Sequence, residues 1–307
     1  MSIEKEINLD SKGKVTLRVI VFRHGPKLSA AGEKNAKAAY FDDSVRQGFD
    51  KLDAKDGIGL ARVATSSVQR AVDTANIAQE ELSGTSHRTK EYIRKDEKLE
   101  VPFQPLEDAK EKKYAADLGR IVAMQKEMQP MIVEEIEKEY PDLNGEAKEA
   151  EIRNRMDMKV LSEMFDEEND PFPARRFETT YGELADIFAK RYFGFSHHLN
   201  LLDRQKEAGG KQPAGDPYLQ IDVTHSFPVM AFLKKYLVFE DGMSAEELAS
   251  EEFFKKTGGI IRESGSFEID FINSDPPKIK VAGEFYPGKK FEGLIDLEKM
   301  KHGQEKK

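Results

Sequence analysis

The sequence of 307 residues contains no cysteine, and this absence removes several kinds of chemistry at once. Without a thiol the chain can form no disulfide bond, no thiolate metal site and no cysteine nucleophile. A disulfide-stabilised scaffold is therefore excluded. A cytoplasmic location is the default expectation for such a chain.

The sequence also lacks a long apolar run and an excess of positive charge. Its first ten residues, MSIEKEINLD, are polar from the second residue onward and do not match a signal peptide, and no stretch is long enough to cross a bilayer. Lysine and arginine number 48 against 57 acidic residues, which gives a net charge of −9. Because nucleic acids and anionic membranes attract basic surfaces, neither is an expected partner.

Apolar strands that alternate with helical segments indicate an α/β fold with a mostly parallel central sheet. The pattern predicts strands at 15–22, 59–67 and 218–225, each followed by helix-forming sequence. Near the C-terminus, apolar and polar residues alternate on both sides of the sequence NSDPP, which predicts a β-hairpin. We expect residues 1–14 to form a tail and residues 15–300 to form one domain.

A charged, helix-rich segment at about 105–178 interrupts this pattern. Residues 107–178 hold 12 basic and 20 acidic residues, so they carry −8 of the net charge. Apolar residues three and four apart predict helices, and the prolines of DPFP end them. We interpret the segment as a helical insertion. It is either a cap over the functional site, a partner-binding surface or a decoration on a distant face.

Three of the predicted elements place basic side chains at their ends. The first strand ends in Arg23-His24-Gly25. Arg70 lies near the start of the helix after the second strand, and the third strand ends at His225. Parallel strands point their carboxyl ends to one edge of a sheet, so these residues are expected to converge there. Two guanidinium groups, two imidazoles and free helix N-terminal N–H groups suit a phosphate dianion.

Taken in their order along the chain, these motifs resemble those of the histidine phosphatase superfamily, also called phosphoglycerate-mutase-like. The matching stretches are VFRHG at 21–25, LSAAGEKNA at 28–36, TSSVQRAVDTA at 65–75 and VTHS at 223–226. They cover the expected catalytic core but neither the insertion nor the C-terminal hairpin. The resemblance implies a three-layer α/β/α fold and a reaction through a phosphohistidine, with no metal and no cofactor.

The resemblance also implies a role for each basic residue. His24 would be the nucleophile that accepts the phosphoryl group, while Arg23, Arg70 and His225 would line the phosphate pocket. The chemistry agrees with this assignment, because an attacking imidazole must be unprotonated on the nitrogen that attacks. Cationic donors aimed at the transferring oxygens would then lower the barrier.

The general acid that protonates the leaving group is less sharply defined. In one branch of the superfamily it is a carboxylate in the segment after the second arginine, where Glu100 is the first candidate, Glu97 the second and Glu107 the third. In the other branch an aspartate directly follows the second histidine. This chain has Ser226 there, which cannot serve as the acid.

Departures from the mutases of the superfamily favour hydrolysis over phosphoryl rearrangement. After Arg-His-Gly this chain continues with Pro26 and Lys27, and it has no match for the mutases' Glu-Arg-His-Tyr stretch. Lys27 adds a cation at the expected pocket mouth and is a candidate for binding a small anionic substrate. The expected activity is phosphomonoester hydrolysis. The alternatives are transfer of the phosphoglycerate mutase type and an inactive member that binds a phosphorylated ligand or a protein.

Two adjacent histidines, His197 and His198, raise the separate question of a metal site. Neighbouring residues on a helix point about 100° apart, so they rarely ligate one ion. We therefore interpret both as ordinary helix residues and expect no metal.

Overall fold

One open β-sheet runs through the part of the chain that the structure, a computed structural model, describes. The described residues are 14–25, 46, 60–83, 88–89, 93–99, 112–167, 177, 179–207, 218–274, 276–286 and 288–305. The strands are β1 (Lys14–Arg23), β2 (Leu60–Thr65), β3 (Arg88–Thr89), β4 (Arg94–Lys95), β5 (Tyr218–Thr224), β6 (Leu237–Phe239), β7 (Ser266–Asn273), β8 (Lys278–Tyr286) and β9 (Lys289–Ile295). The helices are α1 (Gln69–Ser83), α2 (Lys112–Glu139), α3 (Gly145–Glu167), α4 (Tyr181–Glu207), α5 (Ser226–Tyr236), α6 (Ser250–Thr257) and α7 (Leu297–Glu305). Short 3-10 helices lie at Glu97–Leu99 and Ala245–Glu247.

The sheet is parallel in one half and antiparallel in the other. Its strand order is β3-β2-β5-β1-β7-β8-β9-β6, with β4 also paired to β2. Strands β1 to β5 run parallel, whereas β7, β8, β9 and β6 pair antiparallel and carry the larger share of the ladder. The prediction of a mostly parallel sheet is therefore wrong. Short turns join β7 to β8 and β8 to β9, and a chain that reverses in a few residues can only pair antiparallel.

Helices cover both faces of the sheet because its central strands are apolar on both sides. In β1, Ile20 and Phe22 face a core shared with helix α1, while Val19 and Val21 face the larger core beneath helices α4 and α5. Strand side chains alternate between faces, so a continuous apolar run needs cover on each side. This is the layering that a three-layer α/β/α fold requires.

Several predicted elements match the structure closely. The strands predicted at 15–22, 59–67 and 218–225 are β1, β2 and β5, and the C-terminal hairpin is β7 and β8. Helices α2 and α3 fall in the segment predicted to be helical. That residues 15–300 form one domain with this segment inserted stays a prediction. Among the described helices, none is both long and apolar enough to span a bilayer.

Candidate active site

The carboxyl ends of three parallel strands meet at one edge of the sheet. Arg23 at the end of β1 is in register with Thr224 at the end of β5, and Thr65 at the end of β2 is in register with Val223. The backbone N–H of His24 donates to the Thr224 carbonyl at 3.0 Å, which continues the pairing one residue beyond β1. The convergence expected from the sequence is therefore present in the backbone.

The His24 side chain is buried, and its hydrogen bond reveals its tautomer. Its Nδ1 lies 2.7 Å from the carbonyl oxygen of Gly25. A carbonyl oxygen only accepts, so Nδ1 carries the proton and the lone pair of the neutral ring is on Nε2. Burial lowers the pKa of His24 well below its ordinary value, and the neighbouring His225 and Arg70 lower it further. The ring is thus held neutral with Nε2 as its basic atom.

His225 lies beside His24 at the junction of strand β5 and helix α5. The two rings meet edge to face with centroids 4.7 Å apart, and His225 Nε2 lies 3.1 Å from the Ser66 hydroxyl. Burial, together with the positive charges of Arg70 and Arg23, lowers the pKa of His225 to about 3. His225 is therefore also neutral and acts here as a hydrogen-bonding group.

The Arg23 guanidinium is almost fully buried, and most of its donors are occupied. Its Nη1 donates to Asn154 Oδ1 at 3.0 Å and to the Ile261 carbonyl at 2.9 Å. Its Nη2 donates to Asp157 Oδ2 at 2.9 Å. Its Nε is buried and has no hydrogen-bond partner among the described residues. A buried unpaired N–H is costly, and an oxyanion is the kind of acceptor that would satisfy it.

Arg70 lies in the first turn of helix α1, and Thr74 one turn later ties this helix to the His24 segment. The Gly25 N–H donates to the Thr74 hydroxyl at 2.9 Å, and that hydroxyl donates to the Arg70 carbonyl at 2.8 Å. Burial and the nearby Arg23 lower the pKa of Arg70. Two guanidinium groups thus repel one another here, and binding an anion between them would relieve that repulsion.

Two acidic side chains, Asp157 and Glu263, lie near Arg23 and Arg70 and offset part of their positive charge. Asp157 on helix α3 pairs with Arg23, and its Oδ1 also accepts from Gln125 Nε2 of helix α2 at 3.3 Å. Burial raises the pKa of Asp157, while the charge of Arg23 opposes that rise. Glu263 is bound by both Nε and Nη2 of Arg153, also on α3. Helices of the predicted insertion therefore contact the candidate site directly, and a decoration on a distant face is the wrong interpretation.

The segment 260–265 lies between helix α3 and the end of strand β1. Its Ser264 N–H donates to the His24 carbonyl at 3.3 Å, and its Gly265 carbonyl accepts from the Arg23 N–H at 2.9 Å. Ser264 adopts φ +58°, a left-handed conformation that is unfavourable for a residue other than glycine. A Cβ at Gly265 would lie 2.8 Å from the Arg262 carbonyl, so only glycine fits there. Close packing and hydrogen bonds therefore hold this segment against the Arg-His-Gly motif despite the strain at Ser264.

A cleft of about 630 Å³ is lined in part by Asn154. Its walls include Arg262, Tyr286 and Lys289, and Asn154 belongs to them as well. Because Asn154 also accepts a hydrogen bond from Arg23, one side chain joins the cleft to the candidate site. A ligand in the cleft would touch a residue that holds Arg23.

The structure brings Arg23, His24, Arg70 and His225 together but does not describe every candidate. Lys27, Glu100 and Glu107 lie outside the described residues, as does the side chain of Glu97. The described neighbour of Glu100 is Leu99, which is buried and whose carbonyl accepts from the Thr224 hydroxyl at 2.8 Å. The choice among the three acid candidates therefore stays a prediction.

Sequence reasoning missed the residues that support Arg23 and Arg70. Thr74 carried a detectable signal, since it lies one helical turn after Arg70 within the stretch TSSVQRAVDTA. Asn154 and Asp157 carried none, because each lies in a helix dense with charged residues. Among the described side chains, no group of three His, Asp or Glu residues is arranged to hold a metal ion.

Comparisons with known proteins find only distant structural similarity. No family model and no curated protein matches the chain. Solved structures that resemble it include Mycobacterial hydrolase 2, with 12% identity over 94% of this chain and 96% of that chain at a TM-score of 0.42. Mycobacterial hydrolase 1 has 13% identity over 90% and 96% at a TM-score of 0.38, and the Klebsiella sp ASR1 phytase has 10% identity over 95% and 95% at 0.36. Similarity at this level identifies neither a family nor an activity for this chain.

Proposed function

We propose that the protein hydrolyses phosphomonoesters through a phosphohistidine on His24, as in the histidine phosphatase superfamily that its motifs resemble. One observation carries the proposal. A buried histidine has its Nδ1 bound to a carbonyl oxygen and its Nε2 basic, in a pocket with two arginines. A site that only bound phosphate would gain from a protonated histidine, whereas a nucleophile must be neutral.

In the first step the Nε2 lone pair of His24 attacks the phosphorus atom. The bond from phosphorus to the ester oxygen breaks, and its electron pair leaves with that oxygen, which takes a proton from the general acid. Arg23 and Arg70 hold the non-bridging oxygens and stabilise their charge. Glu100 remains the first candidate for the acid, with Glu97 and Glu107 as alternatives.

In the second step a water molecule attacks the phosphohistidine. Its oxygen bonds to phosphorus, the phosphorus–nitrogen bond breaks, and that electron pair returns to Nε2. The carboxylate left by the general acid takes the water proton, so the enzyme regains its starting protonation state and releases inorganic phosphate. No step requires a metal ion or a cofactor.

Substitution of His24 tests this proposal. The His24→Ala variant should lose turnover of a panel of phosphorylated metabolites assayed for released phosphate without added metal. The wild type should form an acid-labile, base-stable phosphoenzyme after rapid quench with labelled substrate, and EDTA should have little effect. His302→Ala, at an exposed position, is the matched control. Full activity of His24→Ala would place the nucleophile elsewhere, and phosphate binding without a phosphoenzyme would indicate a binding protein.

A further inference from the structure

Helix α3 presents a polar face to the Arg-His-Gly segment and to the residues that flank it. Arg153, Asn154 and Asp157 lie on adjoining positions of this helix, since residues three and four apart share a face. Asn154 and Asp157 contact the Arg23 guanidinium, while Arg153 contacts Glu263. None of these residues belongs to the motifs that resemble the superfamily, which end before the helix and resume after it.

These contacts occupy some of the N–H groups of the Arg23 guanidinium and leave others for a ligand. A guanidinium has five N–H groups, and both N–H groups of Nη1 are engaged by Asn154 and the Ile261 carbonyl. One N–H group of Nη2 is engaged by Asp157. Among the described residues, Nε has no acceptor and Nη2 has only Asp157, and donors on these two nitrogens suit the bidentate binding of an oxyanion. These hydrogen bonds thus fix the plane of the guanidinium group and leave donors on Nε and Nη2 without a further acceptor among the described residues.

We propose that Asp157 and Asn154 are positioning residues, which hold the Arg23 guanidinium so that its remaining donors meet the transferring phosphoryl group. Asp157 has a second effect, because its negative charge lowers the affinity of the pocket for phosphate and so assists release of the product. The proposal rests on the function proposed above. It makes the helical insertion a part of the phosphate pocket.

Two substitutions of Asp157 separate its charge from its geometry. Asp157→Asn keeps an oxygen that can accept from Arg23 but removes the charge, so inorganic phosphate should inhibit about threefold or more tightly. Asp157→Ala removes the acceptor as well, so kcat/KM should fall about 10- to 100-fold, the range for loss of a hydrogen bond to a charged group. Asn154→Ala should reduce kcat/KM in the same direction while leaving the net charge of the pocket unchanged.

The experiment measures kcat, KM and the inhibition constant of inorganic phosphate for these variants with p-nitrophenyl phosphate. Glu163→Gln, at an exposed position on the same helix, is the control for charge removal and should match the wild type. Thermal unfolding and circular dichroism identify variants that fail to fold, and the isosteric Asp157→Asn keeps the test informative if Asp157→Ala does fail. Loss of thermal stability with unchanged kcat/KM and phosphate inhibition would overturn the proposal in favour of a structural role.

Calorimetric titration of inorganic phosphate into the His24→Ala protein distinguishes this proposal from the hydrolase proposal. If the wild type shows no hydrolysis and Asp157→Asn still tightens phosphate binding in the His24→Ala background, the hydrolase proposal fails and the role of Asp157 stands. If the wild type hydrolyses phosphomonoesters and phosphate affinity does not respond to Asp157→Asn, the role of Asp157 fails and the hydrolase proposal stands.

Discussion

The rings of His24 and His225 meet edge to face, with their centroids 4.7 Å apart and their planes at 67°. Both rings are buried, and two arginines lie close enough to disfavour a proton on either one. Protonation of one ring would add a third positive charge to a site that has little solvent to screen it. The pair therefore makes the folded state sensitive to acid.

The first prediction concerns stability at acidic pH. An unfolded histidine titrates near pH ~6.5, whereas the pKa of folded His225 is about 3. Between these values the unfolded chain binds a proton that the folded protein does not, so lowering the pH favours unfolding. His225 alone should reduce the free energy of unfolding by about 2 kcal/mol between pH 7 and pH 5. Urea unfolding in phosphate-free buffer measures this change.

Two single substitutions of histidine, one buried and one exposed, provide the matched comparison for this prediction. His225→Asn removes the titrating group, so its free energy of unfolding should depend less steeply on pH than that of the wild type. His302→Asn, on the exposed surface of helix α7, should retain the wild-type dependence. Identical slopes for His225→Asn and the wild type would show that His225 is not the acid-sensitive group.

The second prediction concerns Thr74, whose hydroxyl joins the Gly25 N–H to the Arg70 carbonyl. Thr74→Val keeps the shape but leaves the buried Gly25 N–H unpaired, at a cost of about 1–3 kcal/mol in stability. Turnover should fall about tenfold or more, because His24 and Arg70 would no longer be held in one geometry. Thr74→Ser should restore most of both properties, and the exposed Asn76→Ala on the same helix should change neither. Equal defects in the Val and Ser variants would count against the bridging hydroxyl.

The third prediction identifies the general acid through the leaving group. Glu100→Gln should lower the rate of phosphoenzyme formation from alkyl phosphates by about 10²- to 10⁴-fold but should barely affect its formation from p-nitrophenyl phosphate, whose leaving group needs no proton. Single-turnover rapid quench measures this first step separately from hydrolysis of the phosphohistidine, which should slow for both substrates. Glu97→Gln and Glu107→Gln should behave as the wild type. Because the Thr224 hydroxyl holds Leu99, the residue before Glu100, Thr224→Val should show a smaller effect with the same dependence on the leaving group. A selective effect in a different Glu variant would reassign the role.

The fourth prediction concerns the ion pair between Arg191 of helix α4 and Asp222 of strand β5. Both side chains are buried, and Arg191 binds both carboxylate oxygens of Asp222. Arg191→Met should destabilise the fold by about 3–5 kcal/mol, since it leaves the buried Asp222 carboxylate without its cation and also removes the ion pair between Arg191 and Asp96. The double variant Arg191→Met/Asp222→Asn should recover part of that loss, and the exposed Lys190→Met should have little effect. Denaturant unfolding measures all three, and a stable Arg191→Met protein would contradict the prediction.

The parallel half of the sheet could be predicted from the sequence because its signals are local. Apolar runs such as VTLRVIVF need cover on both faces, and strands separated by helices pair in parallel. Parallel pairing alone then directs the segments that carry Arg23, Arg70 and His225 to one edge. The sequence could not predict which strands are hydrogen-bonded neighbours in the sheet. Strand β7 follows β1 by more than 240 residues yet pairs with it antiparallel, and this pairing makes the sheet mixed.

The amino-acid sequence by itself determined the central strands and helices and the order of the motifs. The periodicity that distinguishes a strand from a helix is visible in residues that are close together in the sequence. It also determined that a charged helical segment separates those motifs. Only the tertiary structure decided that helix α3 turns Asn154 and Asp157 toward Arg23. A helical period shows which residues share a face but not what that face packs against. The surroundings of Arg23 depend on contacts between residues more than 130 positions apart, and such contacts exist only in the folded chain.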